Sequence, residues 1–303
     1  MNKKLLLVLL IFIFLFQIKI TLLSKEENIN FFSPLDIIKW QYLGLKGFEI
    51  RDIAIDPKNS KIIYVATYGD GVYKSTDGGK TWIEKNNGID YKILTYIKID
   101  PYNNNIIYTT GYKSYDYGES WNKMVPNILP YNSDVPWPYN LVVDPKNSNI
   151  IYYGTVDGLY KSIDGGKNFF KIGNGFEDLN YYSCILSIAI DPNNTNVIYI
   201  SVDYAPKTEA APKFYVFGVG VFKSIDNGNN FKKVLLFKDN GDMIWGIDKI
   251  LIDYNNTHII YVESLYHIYR SINSGETWEI IDDNLIYCIT IDLKNNVLYG
   301  IGR

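Results

Sequence analysis

The 303-residue sequence predicts an all-β fold assembled from repeated four-stranded sheets. Three observations carry that expectation. The composition is weighted toward Tyr (27), Phe (14), Trp (6) and β-branched residues, which suit pleated, half-buried surfaces. Helical periodicity is absent after the first two dozen residues. Two short motifs recur along the rest of the chain.

The first motif is a box in which a serine precedes an aromatic residue by seven positions. It occurs five times: Ser75, Asp77, Gly79 and Trp82; Ser114, Asp116, Gly118 and Trp121; Ser162, Asp164, Gly166 and Phe169; Ser224, Asp226, Gly228 and Phe231; Ser271, Asn273, Gly275 and Trp278. The second motif, IAIDPKNSKIIYVAT from Ile53, precedes each box and returns from Ile97, Leu141, Ile188, Ile250 and Ile289.

Each unit reads as four strands. Strand a is the apolar run ending at Asp56 or its equivalent, where Asp-Pro opens a turn because proline presets φ at the second turn position. Strand b is the IIYVA run, strand c the GVYKS run, and strand d begins at the box aromatic. The box is then the tight c–d turn. Its Asp accepts from nearby backbone N–H groups, its Gly tolerates positive φ, and its aromatic packs between sheets. A catalytic reading of the box would need five nearly identical active centres, so its role is structural.

Four-stranded repeats with serines 39 to 62 residues apart predict a single β-propeller over residues 25–303. Six blades are expected, or seven if the chain is truncated. Strands a and b of the sixth blade fall at the end of the sequence, and residues 28–32 and 38–43 supply its strands c and d. Ser33 precedes Trp40 by the same seven positions, with Leu35 and Ile37 in place of the Asp and Gly. Pairing of the N- and C-terminal strands would close the ring and hide two open edges.

Residues 1–24 read as a signal peptide or an uncleaved membrane anchor. Lys3 and Lys4 precede an unbroken apolar run at 5–16, and a tether would run through residues 5–23. An A-x-A-like cleavage site is missing. Cleavage near Ser24 would remove three lysines and lower the formal charge from −3 to −6. Either way the body is extracytoplasmic. Cys184 and Cys288, at different offsets in their repeats, are expected as two buried free thiols. Sequons at Asn193 and Asn255 fall in a–b turns.

A net charge of −3 gives no attraction to nucleic acid. Arg51, Arg270 and Arg303 are the whole arginine supply, and His258 and His267 the whole histidine supply. Clamping of an anion by several guanidiniums, a histidine metal site, a cofactor and a Ser–His–Asp set are therefore not expected.

Strand order puts the a–b and c–d turns on one face and the b–c and d–a loops on the other. The long loops, 125–138, 173–183, 203–218 and 237–246, all belong to the second face. They carry Tyr131, Asp134, Trp137, Tyr139, Asp203, Tyr204, Phe214, Tyr215, Asp242 and Trp245. Such aromatics and acids suit a sugar face or a peptide, or else they pack on one another to hold the loops down. Strand alternation further predicts a polar ring of Asp52, Tyr96, Asn140, Ser187, Lys249 and Cys288. That ring is either a water-lined channel or the floor of a site.

The boxes resemble the Asp-box, or BNR, repeats of sialidases, xyloglucan-hydrolysing propeller enzymes, sortilin-type receptors and photosystem II assembly-factor propellers, over residues 38–302. The resemblance implies the propeller fold and permits either an enzyme or a binder. The sialidase version implies three arginines around a carboxylate, but only Arg51 starts a strand a and no Arg-Ile-Pro motif occurs, so that version is not expected. The xyloglucan-hydrolysing version implies an acid just after strand b of the first blade, where Tyr68 stands, with Asp70 two later. The assembly-factor version implies an arginine-rich patch that is missing. The expectation is an exported, non-catalytic propeller that binds a protein or a glycan through its long-loop face. The alternative is a BNR-type glycoside hydrolase using Asp52 and Asp248 at the channel mouth. A third option is a surface-anchored structural module without a small ligand.

Overall fold

The computed structural model describes residues 45–124, 140–177, 181–206, 217–236, 247–264, 267–282, 286–292 and 297–302. All regular structure among them is β, and no helix there is long and apolar enough to cross a membrane. The first sheet holds β1 (Ile50–Ile55), β2 (Ile63–Thr67), β3 (Val72–Ser75) and β4 (Ile83–Glu84) in sequence order. The second holds β5 (Ile97–Ile99), β6 (Ile107–Thr109), β7 (Tyr112–Ser114) and β8 (Asn122–Lys123). The third holds β9 (Asn140–Asp144), β10 (Asn147–Thr155), β11 (Gly158–Ser162) and β12 (Phe170–Ile172).

The fourth sheet has five strands: β13 (Tyr181–Cys184), β14 (Ile188–Ile190), β15 (Ile198–Pro206), β16 (Phe217–Ser224) and β17 (Lys232–Leu236). The fifth holds β18 (Ile247–Ile252), β19 (Ile260–Ser264), β20 (Ile268–Ser271) and β21 (Glu279–Asp282), and a pair follows, β22 (Ile286–Asp292) with β23 (Val297–Gly302). All pairings within these sheets are antiparallel. The proposed strands at 28–32 and 38–43, and the whole leader, lie outside the described residues.

The fifth strand of the fourth sheet was not expected. Residues 203–218 read as a loop insertion, but its ends prolong β15 and β16, pairing Asp203 with Gly218 and Tyr204 with Phe217. The prolonged β15 exposes a second edge, and β13 satisfies it by pairing residues 181–184 with 203–206.

Hydrophobic clusters lie between sheets. Tyr64, Ala66 and Val72 pack with Ile97, Ile107 and Trp121 between the first and second. Met124 and Tyr108 meet Leu141 and Ile151 between the second and third. The same arrangement joins the third to the fourth and the fourth to the fifth.

Each box is a hydrogen-bonded knot. In the first, Ser75 Oγ accepts from Gly79 N at 2.8 Å and donates to Asp77 Oδ1 at 2.8 Å. Asp77 in turn accepts from Thr81 N at 2.9 Å and Thr81 Oγ1 at 2.6 Å. The pattern repeats from Ser114, Ser162, Ser224 and Ser271, with Asn273 Oδ1 taking the Asp role in the last. The residue before each box glycine also has positive φ, including the non-glycines Tyr117, Asn227 and Ser274. Its N–H donates to its own a–b turn, as Tyr117 does to Asn105 O and Ser274 to His258 O. The a–b and c–d turns therefore share one end of each sheet.

The box aromatics are not equally buried. Trp121 is 4 % exposed and donates Nε1–H to Lys85 O of the preceding sheet at 2.8 Å, whereas Trp82 is half-buried. Trp121→Ala is expected to lower unfolding free energy by about 3–5 kcal/mol, read by chemical denaturation. Stability should also depend on acid. The hydroxyl and N–H of Thr81 hold Asp77 down to about 2, and the N–H and amide of Asn168 and Asn230 do the same for Asp164 and Asp226. A carboxylate depressed on folding contributes stability that is full above its ordinary value and lost as pH falls through the folded one. The melting temperature is expected to hold above about pH 5 and to fall between about pH 4 and pH 2, less steeply in Asp164→Asn.

Candidate functional site

The long-loop face begins where β2 ends. Gly69 and Gly71, with φ of 109° and 86°, turn the chain sharply, and both donate N–H to Lys92 O at 3.1 Å. A Cβ at Gly71 would stand 2.1 Å from Asn86 Oδ1, the atom that accepts from Val72 N, so this position requires glycine. Asn86 also donates to Asp70 O at 2.8 Å. The turn is held on every side, and it presents Tyr68.

Tyr68 is 42 % exposed, and the Arg51 guanidinium lies 4.5 Å from its ring centroid. Arg51 forms an ion pair with Glu49, while burial pulls its pKa below the usual value. With the cation held over the ring, the tyrosine still keeps a substantial exposed surface. Tyr91, also exposed, is a neighbour near enough for the two phenols to interact electrostatically, and its N–H donates to Tyr112 Oη at 3.1 Å. Glu84 and Lys92, paired at 3.1 Å, complete the surroundings with both charge signs.

Asp52 sits one strand inward. Its Oδ2 accepts from Ile97 N at 3.0 Å and Lys98 Nζ at 2.7 Å, and its Oδ1 from Ile53 N at 2.9 Å. It ties the first sheet to the second. Ser187 does the same between the fourth and fifth sheets, accepting from Ile250 N at 3.0 Å. Tyr96 departs from the expected water-lined ring: it is buried in the cluster between the second and third sheets, edge-on to Tyr153. Asn140 and Lys249 are half-buried, Lys249 opposite the buried Glu263 of β19. The alternation behind the ring is broken by register shifts between Ile50 and Asp52, Ile247 and Lys249, and Ile286 and Cys288. In the first and fifth sheets such a bulge re-aims the side chain that follows, Asp52 or Lys249.

Of the loop aromatics and acids, Asp203 and Tyr204 are described. Asp203 is fully buried, paired across the sheet with Cys184 and Gly218. Tyr204 stacks on Tyr181 at 5.7 Å and donates to Phe176 O at 3.3 Å, so it fastens β13 to the sheet. Trp137, Tyr139, Phe214, Tyr215, Asp242 and Trp245, with Tyr131 and Asp134, lie outside the described residues, as do the side chains of Asp248 and Cys288. Cys184 is a free thiol that burial pushes up to about 12, which makes it inert. Among the described residues no group of three His, Cys, Asp or Glu side chains could hold a metal.

Sequence reasoning passed over the joint use of Arg51 and Tyr68, which are 17 residues apart. The available signal was the glycine on either side of Asp70, marking a constrained turn directly after an exposed aromatic.

No family model matches the chain. Sortilin of Danio rerio is 28 % identical over 237 residues, covering 74 % of this chain but only 28 % of that protein. The GH74 enzyme of Niastella koreensis is structurally similar at a TM-score of 0.58 and 23 % identity, covering 79 % of this chain and 39 % of that one. The extracellular domain of a putative hybrid two-component system from B. thetaiotaomicron gives a TM-score of 0.61 at 15 % identity, covering 86 % and 33 %. At these identities the structural likenesses concern the fold. Box chemistry, sheet topology and these likenesses agree in supporting a β-propeller of the Asp-box, or BNR-repeat, type.

Proposed function

We propose that this chain is an exported, non-catalytic propeller that binds a protein or a glycan through its long-loop face. The observation that carries the reading is Tyr68, stacked with the Arg51 guanidinium beside Tyr91, while Asp52 of β1 is committed to two sheets. A partly exposed aromatic ring backed by a cation suits stacking on a sugar ring or a peptide side chain. The leader at residues 1–24, as signal or tether, delivers the body outside the cytoplasm. The likeness to xyloglucanases favours one alternative, hydrolysis by Asp52 with Asp248, which needs the carboxylates about 5–10 Å apart.

The propeller is proposed to have six blades, the last formed by β22 and β23 with residues 28–32 and 38–43. Ile53 and Ile55 of β1 are 40 % and 54 % exposed, whereas the counterparts of Ile53, Ile97, Leu141, Ile188 and Ile250, are 0–5 % exposed against a preceding sheet. A preceding blade would cover the first sheet likewise. The indoles give a second indication. Trp121 and Trp278 donate to Lys85 O and Val234 O, each three residues after the preceding box aromatic. Closure by a strand d at 38–43 would offer Trp82 an acceptor at the same offset.

Two experiments test these readings. On glycan and peptide arrays, Tyr68→Ala should weaken binding about tenfold, as loss of a stacked ring implies, with no turnover by the parent chain. Hydrolysis of a β-glucan that disappears in Asp52→Asn would replace the binder with the hydrolase. For closure, cysteine pairs scanned between 28–32 and 297–302 should cross-link in the folded protein and raise its melting temperature. Failure of every register would leave the six-blade ring without support.

A further inference from the structure

The face that carries the boxes has an apolar feature that the turns do not explain. The residue after the box serine is Ile163, Ile225 and Ile272 in the third to fifth sheets, and these are 62 %, 71 % and 63 % exposed. The hydrogen bonds of the box use the Ser, the Asp, the Gly and the residue four after the Asp. Nothing in the turn calls for an aliphatic side chain at this place, and a solvated turn favours a polar one. Tyr115 occupies the same position in the second sheet, and Tyr102 and Tyr254 stand exposed in a–b turns.

These residues share one continuous face. The a–b and c–d turns of each sheet are hydrogen-bonded to each other, and adjacent sheets are tied at this end by Ser148 to Asp100, Lys146 to Asn193 O and Lys113 to Gly165 O. Together the six side chains expose roughly 700 Å², close to the roughly 800 Å² that each partner contributes to a standard-size interface. Single exposed apolar residues are ordinary, but a repeated set on one face marks an interaction surface.

We propose that the box face is the contact between two copies of this chain, stacked face to face about a two-fold axis. Such an interface must complement itself, and this one offers both charge signs around its apolar part. Lys58, Lys61 and Lys80 lie in the turns of the first sheet and Glu276 in those of the fifth. A lipid surface fits less well. Ionised Asp164 and Asp226 stand one residue after Ile163 and Ile225, and the chain carries a net charge of −3.

Sedimentation velocity on the full-length chain between about 1 and 100 μM should show a reversible dimer with micromolar dissociation, within the range open to an interface of this size. The triple variant Ile163→Asn, Ile225→Asn, Ile272→Asn should weaken association at least tenfold with an unchanged melting temperature, since all three sites are exposed. Tyr115→Ser should weaken it without the other changes. A monomeric parent chain up to the highest concentration, or association that the triple variant leaves intact, would overturn the proposal. So would a monomer that co-sediments with phosphatidylcholine–phosphatidylglycerol vesicles through the same isoleucines, which would make the face a membrane contact.

Discussion

One peptide group per sheet, the residue three after the box serine, couples the sheets to each other. Its positive φ points its N–H to its own a–b turn and turns its carbonyl toward the preceding sheet. There a lysine and a tyrosine meet it. Lys74 Nζ and Tyr64 Oη donate to Tyr117 O, Lys161 and Tyr152 to Asn227 O, and Lys223 and Tyr199 to Ser274 O, at 2.8–3.3 Å. Lys113 donates alone to Gly165 O, because Tyr108 turns to Asp100 instead. Each ammonium also lies 5.0–5.5 Å from the ring centroid of its own tyrosine. A buried or half-buried cation is thereby solvated by a ring and a carbonyl, and hydrogen bonds to charged groups contribute about 1.5–3 kcal/mol each.

This clamp explains what the box tolerates. The clamped residue is Tyr117, Gly165, Asn227 or Ser274, so its side chain is not specified. Its backbone conformation is. A left-handed tyrosine or serine costs on the order of 1 kcal/mol relative to glycine, and the clamp offsets that cost through the carbonyl. Coupling therefore runs from each sheet to the next, as in other repeat architectures, and loops at the far end can vary without disturbing it.

The box, the four strands and the faces could be read from the sequence because each is settled within about ten residues. Ser75 reaches Asp77 and Gly79 inside one turn, and the repeat displays that logic five times. The clamp was on display too, in the tyrosine that ends strand b's apolar run and the lysine before the first four box serines, but its partners lie 43 to 75 residues away. The polar ring is a different case. Alternation assumes an unbroken pleat, and the shifts at Asp52 and Lys249 interrupt it, while Tyr96, just before β5, turns into the core. The platform at Tyr68 depends on where Arg51 comes to rest, which no local rule supplies.

The same geometry bears on catalysis. A carboxyl that gives and takes a proton during turnover needs an oxygen free to reach the substrate. On Asp52, Oδ2 already accepts a sheet N–H and an ammonium, and Oδ1 accepts the N–H of the next residue. Protonating Oδ2 would set an O–H against two donors and loosen the contact between the first and second sheets. Ser187 makes the equivalent link to Ile250 N between the fourth and fifth sheets with a neutral hydroxyl. What the position requires is an acceptor for the next sheet, and a serine meets that need as well as an aspartate does. Asp52 is therefore a strut between the first and second sheets, its charge matched by Lys98.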